Sequence, residues 1–377
     1  MKLESPIPGD VYDAISAPFR EGADHVLDAP VLQPLGLLLD LAGEMLRERL
    51  FVVQSTEAAP ESCLRTDFTI SALTAHLESG RKSGRYFYSG HVFRVAPPGS
   101  ERAEEFPQVG VEVFEPGDPA AADAEIAAAA WSAARAGGRT DLSLLLGDVS
   151  LFGAVVDALG LAPPLAARLK RSAASPRKLR AELEAAVKGE RPGRGGGGRL
   201  GALLAKLPEP EAVAALQEIW DLAGVEPVAS RSAVEIVHRL AERSALAEAP
   251  RLSPSQADLF GAYMAISGSP EAALQSVESL VGGKAAALGA ARDSWMRRID
   301  AMVKAGVPAE AMRFSTAFGR AFGYYDGAIF EIRSAALGPD QAVGAGGRYD
   351  GLAARLGAQI ATGAVGAMVR PGRAWRP

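Results

Sequence analysis

Two segments of the chain alternate apolar and polar residues as half-buried β-strands do. RYFYSGHVFRV at 85–95 and EFPQVGVEVFE at 105–115 are rich in aromatic and β-branched residues, and a polar loop containing Pro and Gly separates them. Aromatic and β-branched runs of this length, joined by such a loop, are typical of paired strands. The pattern predicts an antiparallel hairpin with a long loop.

The second strand of this hairpin places polar groups on one face. Valine occupies alternate positions 109, 111 and 113, so Gln108 and Glu112 share the opposite face with Gly110 between them. The two polar side chains are about 13 Å apart, because a strand rises ~3.3 Å per residue. Polar groups at that separation are suited to hold opposite ends of a small polar ligand.

The rest of the chain mixes helical and extended patterns. The spacing of apolar residues predicts helices over 31–50 and 118–138, a strand over 51–56, and a strand followed by a helix over 141–161. LRTDFTISALTAHLES passes from polar residues into another helix. Extended character returns after 311, where the dipeptide Asp326-Gly327 is a hairpin-turn signal.

The composition changes in the middle of the chain. From about 162 to 265 the sequence is rich in Ala, Leu, Arg and Glu and has almost no strand character. The glycine run at 189–198 is followed by no Lys-Ser/Thr and preceded by no strand, so we interpret it as a flexible surface connection and not a phosphate loop. We therefore divide the chain into a first core part at 1–161, a helical insertion at 162–265 and a second core part at 266–377.

Hairpins dominate the predicted strands, so the expected fold class is α+β. An antiparallel sheet flanked by helices fits this order better than a doubly wound parallel sheet. A single cysteine, Cys63, excludes an internal disulfide, and four isolated histidines give no zinc-ligand spacing. The net charge of −5 argues against a generally basic nucleic-acid binder. With no signal-peptide pattern and no apolar run of ~18 residues, we expect a cytoplasmic protein without a membrane span.

The candidate chemistry lies in polar residues of strands and glycine-rich turns. No nucleophile–base pair stands out, and each polar residue taken alone could be an ordinary strand-end or turn residue. As a set they are harder to explain that way, because a buried charge needs a partner or a ligand. The set comprises Asp67, Arg94, Gln108, Glu112, Arg320, Tyr324, Tyr325, Arg348 and Tyr349.

Several of these residues lie in segments that have counterparts in a known family. GHVFR followed by EFPQVGVEVFE, then FGRAFGYYDGAIFE and AGGRYDGL, are similar to the second class motif and the two histidine-specific elements of class II histidyl-tRNA synthetases. LRTDFT resembles that family's LRPEGT, and DAPVLQPLGLL lies where its dimer-forming first motif is expected. The resemblance covers most of the chain and implies the synthetase catalytic-core fold.

The resemblance also implies a pocket for histidine. Carboxylates and an amide suit an ammonium and a ring N–H, an arginine fork suits a carboxylate, and aromatic rings suit a flat imidazole. Arg320 would face the ligand carboxylate, and three tyrosines would form the wall around the imidazole. By this resemblance the ligand-binding residues are Asp67, Thr69, Gln108, Glu112, Arg320, Tyr324, Tyr325, Arg348 and Tyr349.

The sequence departs from the synthetase pattern where ATP would bind. Arg94 is kept as a vestige of the ATP site, but Ala96 replaces a Glu, acidic residues occupy the loop at 101–105, and Pro371 falls where a helix should run. Each lost charged hydrogen bond weakens binding by ~1.5–3 kcal/mol. We therefore expect poor ATP recognition and, since the chain ends at Pro377, no anticodon-binding domain.

A kept histidine pocket without ATP or tRNA recognition resembles the regulatory subunits of ATP phosphoribosyltransferase. This resemblance implies a non-catalytic subunit, without catalytic residues, cofactor or metal, that is required for the activity and histidine feedback of the short-form transferase in histidine biosynthesis. It further implies a homodimer that assembles with the catalytic subunit and binds neither nucleic acid nor membrane. The alternatives are an aminoacyl-adenylate-forming ligase, a degenerate histidyl-tRNA synthetase and a free-standing histidine sensor. Whether histidine occupies this pocket or a subunit interface stays open at this point.

Overall fold

The structure is a computed structural model of the full chain. It describes residues 2–42, 44–54, 61–188, 203–204, 206–223, 232–238, 240, 251–282, 286–320, 323–358 and 362–377. The glycine run at 189–198 lies outside these residues. The chain forms two compact units, one made of residues 1–158 and 263–377 and the other of residues 159–262.

The larger unit contains a nine-stranded mixed sheet. In sheet order the strands are β1 (His25–Val26), β5 (Gly84–Phe93), β6 (Glu105–Phe114), β12 (Ala364–Val369), β11 (Gly344–Arg348), β10 (Ala328–Ser334), β7 (Leu142–Asp148), β9 (Met312–Ser315) and β8 (Ser267–Gly268). Neighbouring strands are antiparallel except for the first pair, β1 with β5, and the pair β7 with β9, which are parallel. A second, antiparallel sheet contains β2 (Leu32–Pro34), β4 (Ser62–Leu64) and β3 (Val52–Val53).

Helices flank the sheet and make up most of the described part of the smaller unit. In chain order they are α1 (Gly9–Arg20), α2 (Leu35–Ala42), α3 (Thr69–Ser79), α4 (Pro119–Ala136), α5 (Val149–Leu159), α6 (Pro163–Ser172), α7 (Pro176–Lys188), α8 (Glu209–Ala223), α9 (Pro254–Ala265), α10 (Pro270–Val281), α11 (Ala286–Lys304), α12 (Leu352–Arg355) and α13 (Pro371–Ala374). The expected α+β class, with a largely antiparallel sheet flanked by helices, is confirmed. Among the described helices none is both long and apolar enough to cross a bilayer.

The predicted hairpin is confirmed as the pair β5–β6. Its register places Tyr88 opposite Gly110, and Tyr86 opposite Glu112. Val109 and Val111 are fully buried, and Gln108 and Glu112 are buried on the other face of the strand. This alternation follows directly from the two-residue period of a strand.

The helix predicted over 118–138 is also confirmed, as α4. The Asp118 side chain accepts a hydrogen bond from the Ala120 N–H at 2.9 Å, and Gly137 follows the last helical residue. The side-chain oxygen of Asp118 thus satisfies one of the N–H groups that have no partner within the helix.

Two predicted elements are wrong in part. The segment 31–50 is not one helix, because residues 32–34 pair with β4 as a strand before α2 begins. The predicted strand at 51–56 covers only Val52–Val53, and its last two residues lie outside the described part of the chain. A three-residue strand carries too little pattern to be separated from the helix that follows it.

The Asp326-Gly327 dipeptide is not a hairpin turn. Both N–H groups donate to the Arg348 carbonyl oxygen, at 3.1 and 3.4 Å, and the Asp326 carboxylate accepts from the N–H groups of Asp350 and Gly351. The dipeptide therefore lies at the start of β10 and is held by hydrogen bonds to the residues at the end of β11. The prediction failed because the preceding strand, β9, pairs with β7 and β8 and not with β10.

Pro371 begins a helical turn and does not interrupt one. It is the first residue of α13, and the turn extends to Ala374. Proline is favoured at this position because the first N–H groups of a helix have no partner within it. The expected loss of ATP recognition in this region stays a prediction.

Candidate functional site

A small pocket lies at the centre of the sheet, over β6 and β12. It is lined by Asp67, Thr69, Tyr88, Arg94, Gln108, Glu112, Arg320, Tyr324, Tyr325, Ala345, Gly366, Ala367 and Met368. Strand β6 supplies Gln108 and Glu112, the segment entering α3 supplies Asp67 and Thr69, β5 supplies Tyr88, and the segment before β10 supplies Tyr324 and Tyr325. The structure thus brings together residues that are far apart in the sequence.

Glu112 forms the centre of the hydrogen-bond network in this pocket. One oxygen accepts from the Thr69 hydroxyl at 2.8 Å and from the Tyr88 hydroxyl at 3.3 Å, and the other accepts from the Tyr349 hydroxyl. Burial, which disfavours the charged form, raises the pKa of Glu112 to about 7 despite these donors. A carboxyl group with this pKa can gain or lose a proton near neutral pH.

Asp67 is a second buried carboxyl group in the same pocket. Neither of its oxygens makes a hydrogen bond of normal geometry to another described residue. Burial raises its pKa, and the charge of Arg94, the Thr69 N–H and the Tyr324 hydroxyl oppose that rise. Two buried carboxyl groups in one pocket create a strong attraction for a cation.

Gln108 is fully buried, and its side-chain amide is unsatisfied. Both the Oε1 and Nε2 atoms lack a hydrogen-bond partner among the described residues. Leaving a buried donor and acceptor unpaired costs roughly 1–3 kcal/mol for each group. Such a cost is tolerated where a ligand or a water molecule supplies the missing partners.

Three tyrosine rings pack together beside these polar groups. The ring centroids of Tyr324 and Tyr325 are 4.7 Å apart, and those of Tyr324 and Tyr349 are 5.7 Å apart. All three rings are buried, with at most 8% of any of these residues exposed. Tyr349 does not line the pocket itself. It contributes to the site through the hydrogen bond that its hydroxyl donates to Glu112.

Two arginines line the pocket. Arg94 donates through Nε and Nη2 to the Thr66 carbonyl oxygen, at 3.0 and 2.8 Å. Arg320 donates to the Glu331 carboxylate at 2.6 Å, while its buried Nε has no partner among the described atoms. A carboxylate entering the pocket would meet both positive charges.

Arg348 does not join the other predicted site residues. Its guanidinium pairs with the carboxylates of Asp123 and Asp350, at 2.7 and 2.9 Å, and donates to the Pro119 carbonyl oxygen. Arg298 also bonds to Asp123, at 2.7 Å. Arg348 therefore points towards α4, whereas the adjacent Tyr349 points towards the pocket, because successive side chains face opposite sides of a sheet.

Sequence reasoning did not identify Tyr88 and Gly366 as part of the site. Gly366 lies opposite Glu112 on β12, and a Cβ atom at this position would overlap the Glu112 carboxylate. Gly110 is similarly constrained, since a Cβ there would overlap the Tyr88 hydroxyl. The hairpin register could have located Tyr88, because it places that residue opposite Gly110 and between the two polar residues of β6.

The pocket is nearly closed in this structure. Its free volume is about 20 Å³, which is enough for about one water molecule. A ligand the size of an amino acid would therefore enter only if side chains move. Within the described residues, no group of three or more His, Cys, Asp or Glu side chains is placed to hold a metal ion.

Known proteins resemble the chain in both sequence and fold. The histidyl-tRNA synthetase family profile matches residues 25–230 and 211–370. Solved structures with a similar fold include an ATP phosphoribosyltransferase regulatory subunit/histidyl-tRNA synthetase from Bacillus halodurans, at a TM-score of 0.63 and 17% identity over 100% of this chain and 82% of that one. A histidine–tRNA ligase subunit from Alicyclobacillus acidocaldarius matches at a TM-score of 0.54 and 18% identity, over 98% of this chain and 94% of that one.

Curated relatives are more similar in sequence. The ATP phosphoribosyltransferase regulatory subunit of Agrobacterium fabrum is 37% identical over 90% of this chain and 89% of that protein. Regulatory subunits of the same name from Mesorhizobium japonicum and Brucella canis are 35% and 33% identical, over 91% and 94% of this chain and 90% and 94% of theirs. The resemblance found in the sequence motifs is thereby confirmed, and the chain belongs to the family of ATP phosphoribosyltransferase regulatory subunits.

Proposed function

We propose that this chain is a non-catalytic regulatory subunit that assembles with a separate, short-form ATP phosphoribosyltransferase catalytic subunit. It would be required for the activity of that enzyme at the first step of histidine biosynthesis, and would transmit feedback by histidine. The name shared by the relatives supports the assembly. The observation that carries the ligand assignment is the unsatisfied amide of Gln108, buried in a pocket that two carboxyl groups also line.

The chemistry of the pocket supports histidine as the ligand. The carboxyl groups of Asp67 and Glu112 suit the α-ammonium group, and the Gln108 amide can both donate to and accept from an imidazole ring. Arg320 and Arg94 lie where they could receive the ligand carboxylate. The tyrosine rings supply an aromatic wall for a flat ring.

The nearly closed pocket supports a regulatory role. Binding of histidine would require the surrounding side chains to shift, so the empty and occupied states would differ in structure. A ligand that binds one of two states more tightly shifts their populations, and such coupling between sites is typically worth ~1–3 kcal/mol. We propose that the catalytic subunit responds to this shift.

Reconstitution with the catalytic subunit tests this function. The transferase rate is expected to rise on addition of this chain and to fall again when histidine is added. The variant Gln108→Ala is expected to retain activation and to lose most of the inhibition, because it removes a ligand contact and leaves the surface unchanged. Steady-state kinetics of the mixture, with Gln275→Ala on an exposed helix face as the control, measures both effects.

Two results would contradict the proposal. If mixing changed neither the rate nor its sensitivity to histidine, the regulatory assignment would be lost. Histidine-dependent ATP–pyrophosphate exchange by this chain alone would instead favour the adenylate-forming alternative.

We further propose that the synthetase-like core spans 1–161 and 266–377, that residues 162–265 form a helical insertion, and that the protein works in the cytoplasm without nucleic-acid or membrane contacts. The two compact units support this division.

Self-association is proposed for the surface around β1 and β2. Val26, Val31, Leu32 and Val52 expose between 42 and 75% of their area there, beside a largely apolar groove of about 350 Å³. Apolar surface of this kind is typical of an interface. Sedimentation of the isolated chain is expected to give a dimer, and Leu32→Glu to give a monomer. A wild-type monomer at micromolar concentration would contradict this proposal.

The binding of histidine is expected to release a proton near neutral pH. In the empty pocket Glu112 has a pKa of about 7, and an ammonium group beside it favours the ionised form. As the pH falls below 7, affinity should therefore decline by up to about tenfold per pH unit, since one pKa unit corresponds to ~1.36 kcal/mol. Calorimetric titrations in buffers of different ionisation enthalpy measure this release.

The matched variant Glu112→Gln isolates the contribution of this carboxyl group. It should lose the part of the proton release that belongs to Glu112, while titration of the ligand's own imidazole persists. An unchanged number of released protons in Glu112→Gln would assign the proton to another group.

A further inference from the structure

A short segment of irregular backbone, residues 323–326, carries two of the tyrosines that line the pocket. Tyr324 and Tyr325 both belong to this lining. The end of the segment is held by the Asp326 carboxylate, which accepts hydrogen bonds from the two N–H groups of residues 350–351, at 3.0 and 2.6 Å. The chain that follows β11 therefore fixes one end of the tyrosine segment.

Arg355 holds the other end of the segment. Its Nη1 atom donates to the Gly323 carbonyl oxygen at 3.2 Å, and its Nη2 atom donates to the carbonyl oxygen of Leu41, the second-last residue of α2. A guanidinium carries several N–H donors in a fixed planar fork, so one arginine can join two separate carbonyl groups. Arg355 thus ties the start of the tyrosine segment to a helix that is far away in the sequence.

The frame to which Arg355 is anchored is buried and well packed. Helices α2 and α12 share one apolar cluster with the tyrosine rings, which contains Leu35, Leu38, Leu39, Leu41, Tyr324, Tyr325, Tyr349, Leu352 and Ala353. Arg355 itself is exposed and does not line the pocket. Its replacement would therefore remove the tie to Gly323 without leaving a cavity in the cluster or deleting a ligand contact.

We propose that Arg355 is a positioning residue for the pocket, and that it fixes the backbone from which Tyr324 and Tyr325 extend into the site. The free volume of about 20 Å³ means that side chains must shift when a ligand enters. A backbone that is held at both ends limits how much disorder a ligand must remove, and such preorganisation favours binding. The part of the inference that concerns affinity rests on the proposed function, because its ligand is histidine.

Hydrogen–deuterium exchange of the isolated full chain, without ligand, tests the positioning directly. In Arg355→Gln the amide groups of residues 323–327 are expected to exchange several-fold faster than in the wild type, because local opening of this segment becomes easier. Arg355→Lys keeps the charge and can reach one carbonyl, so it should restore part of the protection. The matched control Arg297→Gln removes an exposed arginine from α11 and should leave the segment unchanged. Equal exchange in Arg355→Gln and the wild type would overturn the proposal.

Calorimetric titration of histidine into the same proteins tests the consequence for binding. Arg355→Gln should weaken binding by roughly tenfold, since two ring-bearing side chains must then be ordered when the ligand enters. Arg355→Lys should lie between this variant and the wild type, and urea denaturation should give similar stabilities for Arg355→Gln and Arg297→Gln. An unchanged affinity, or a loss of stability in Arg355→Gln that the lysine variant does not reverse, would contradict a positioning role. Absence of histidine binding by the wild type would contradict the ligand assignment of the proposed function, while the exchange result would still decide whether Arg355 holds the segment.

Discussion

Replacement of Gly366 by alanine is expected to abolish histidine binding by this chain. The new Cβ atom would overlap the Glu112 carboxylate across the β6–β12 pair. Glu112 would have to turn away from Thr69 and Tyr349, and the methyl group would fill a pocket that is already almost closed. Loss of the ligand's own charged bond to Glu112, at ~1.5–3 kcal/mol, corresponds to a fall in affinity of roughly 10- to 100-fold, and the space taken by the methyl group adds to it.

The matched control for this variant lies three residues earlier in the chain. A Cβ atom at Gly363 would approach no neighbour closer than 3.6 Å, so Gly363→Ala should bind histidine as the wild type does. Calorimetry of the three proteins, together with circular dichroism to verify folding, measures the difference. Wild-type affinity in a folded Gly366→Ala protein would mean that the ligand does not bind beside Glu112.

Replacement of Asp123 by alanine is expected to destabilise the fold by ~3–5 kcal/mol. Asp123 is the shared carboxylate of Arg298 and Arg348, all three residues are at most 8% exposed, and the bonds are 2.7–2.9 Å long. Without it two buried cations lose an anionic partner. A loss of this size is a large share of the ~5–15 kcal/mol that stabilises most domains.

The control for Asp123 lies on the same helix. Glu125 pairs with Arg85 at the surface and is 62% exposed, so Glu125→Ala should cost no more than ~1 kcal/mol. Urea denaturation of both variants gives the free energies of unfolding. Similar values for the two variants would show that the buried cluster contributes no more than a surface ion pair.

The sequence was most informative where the pattern is local and long. The hairpin at 85–95 and 105–115 and the helix over 118–138 each carry their own periodicity, and the structure confirms them. The segment 31–50 was misread because its three strand residues are defined by pairing with β4, far along the chain. Pairing between distant segments leaves no periodic signal in either one.

In the site, too, contacts between residues that are far apart in the sequence could not be predicted from it. Gln108 and Glu112 could be placed together because they share a face of one strand. Arg348 was grouped with Tyr349 from their adjacency in AGGRYDGL, although neighbours on a strand point to opposite faces. The partner that decides the role of Arg348 is Asp123, 225 positions earlier in the chain.

Arg94 and Arg320 also border a second, larger cavity, which seven arginines and two acidic residues line. A carboxylate in the pocket and an anion in that cavity would draw on the same two guanidinium charges. Each anion would then weaken the binding of the other to the same degree, since linkage between binding sites is reciprocal. A rise in the concentration of other anions would therefore lower the affinity of the pocket for a carboxylate ligand.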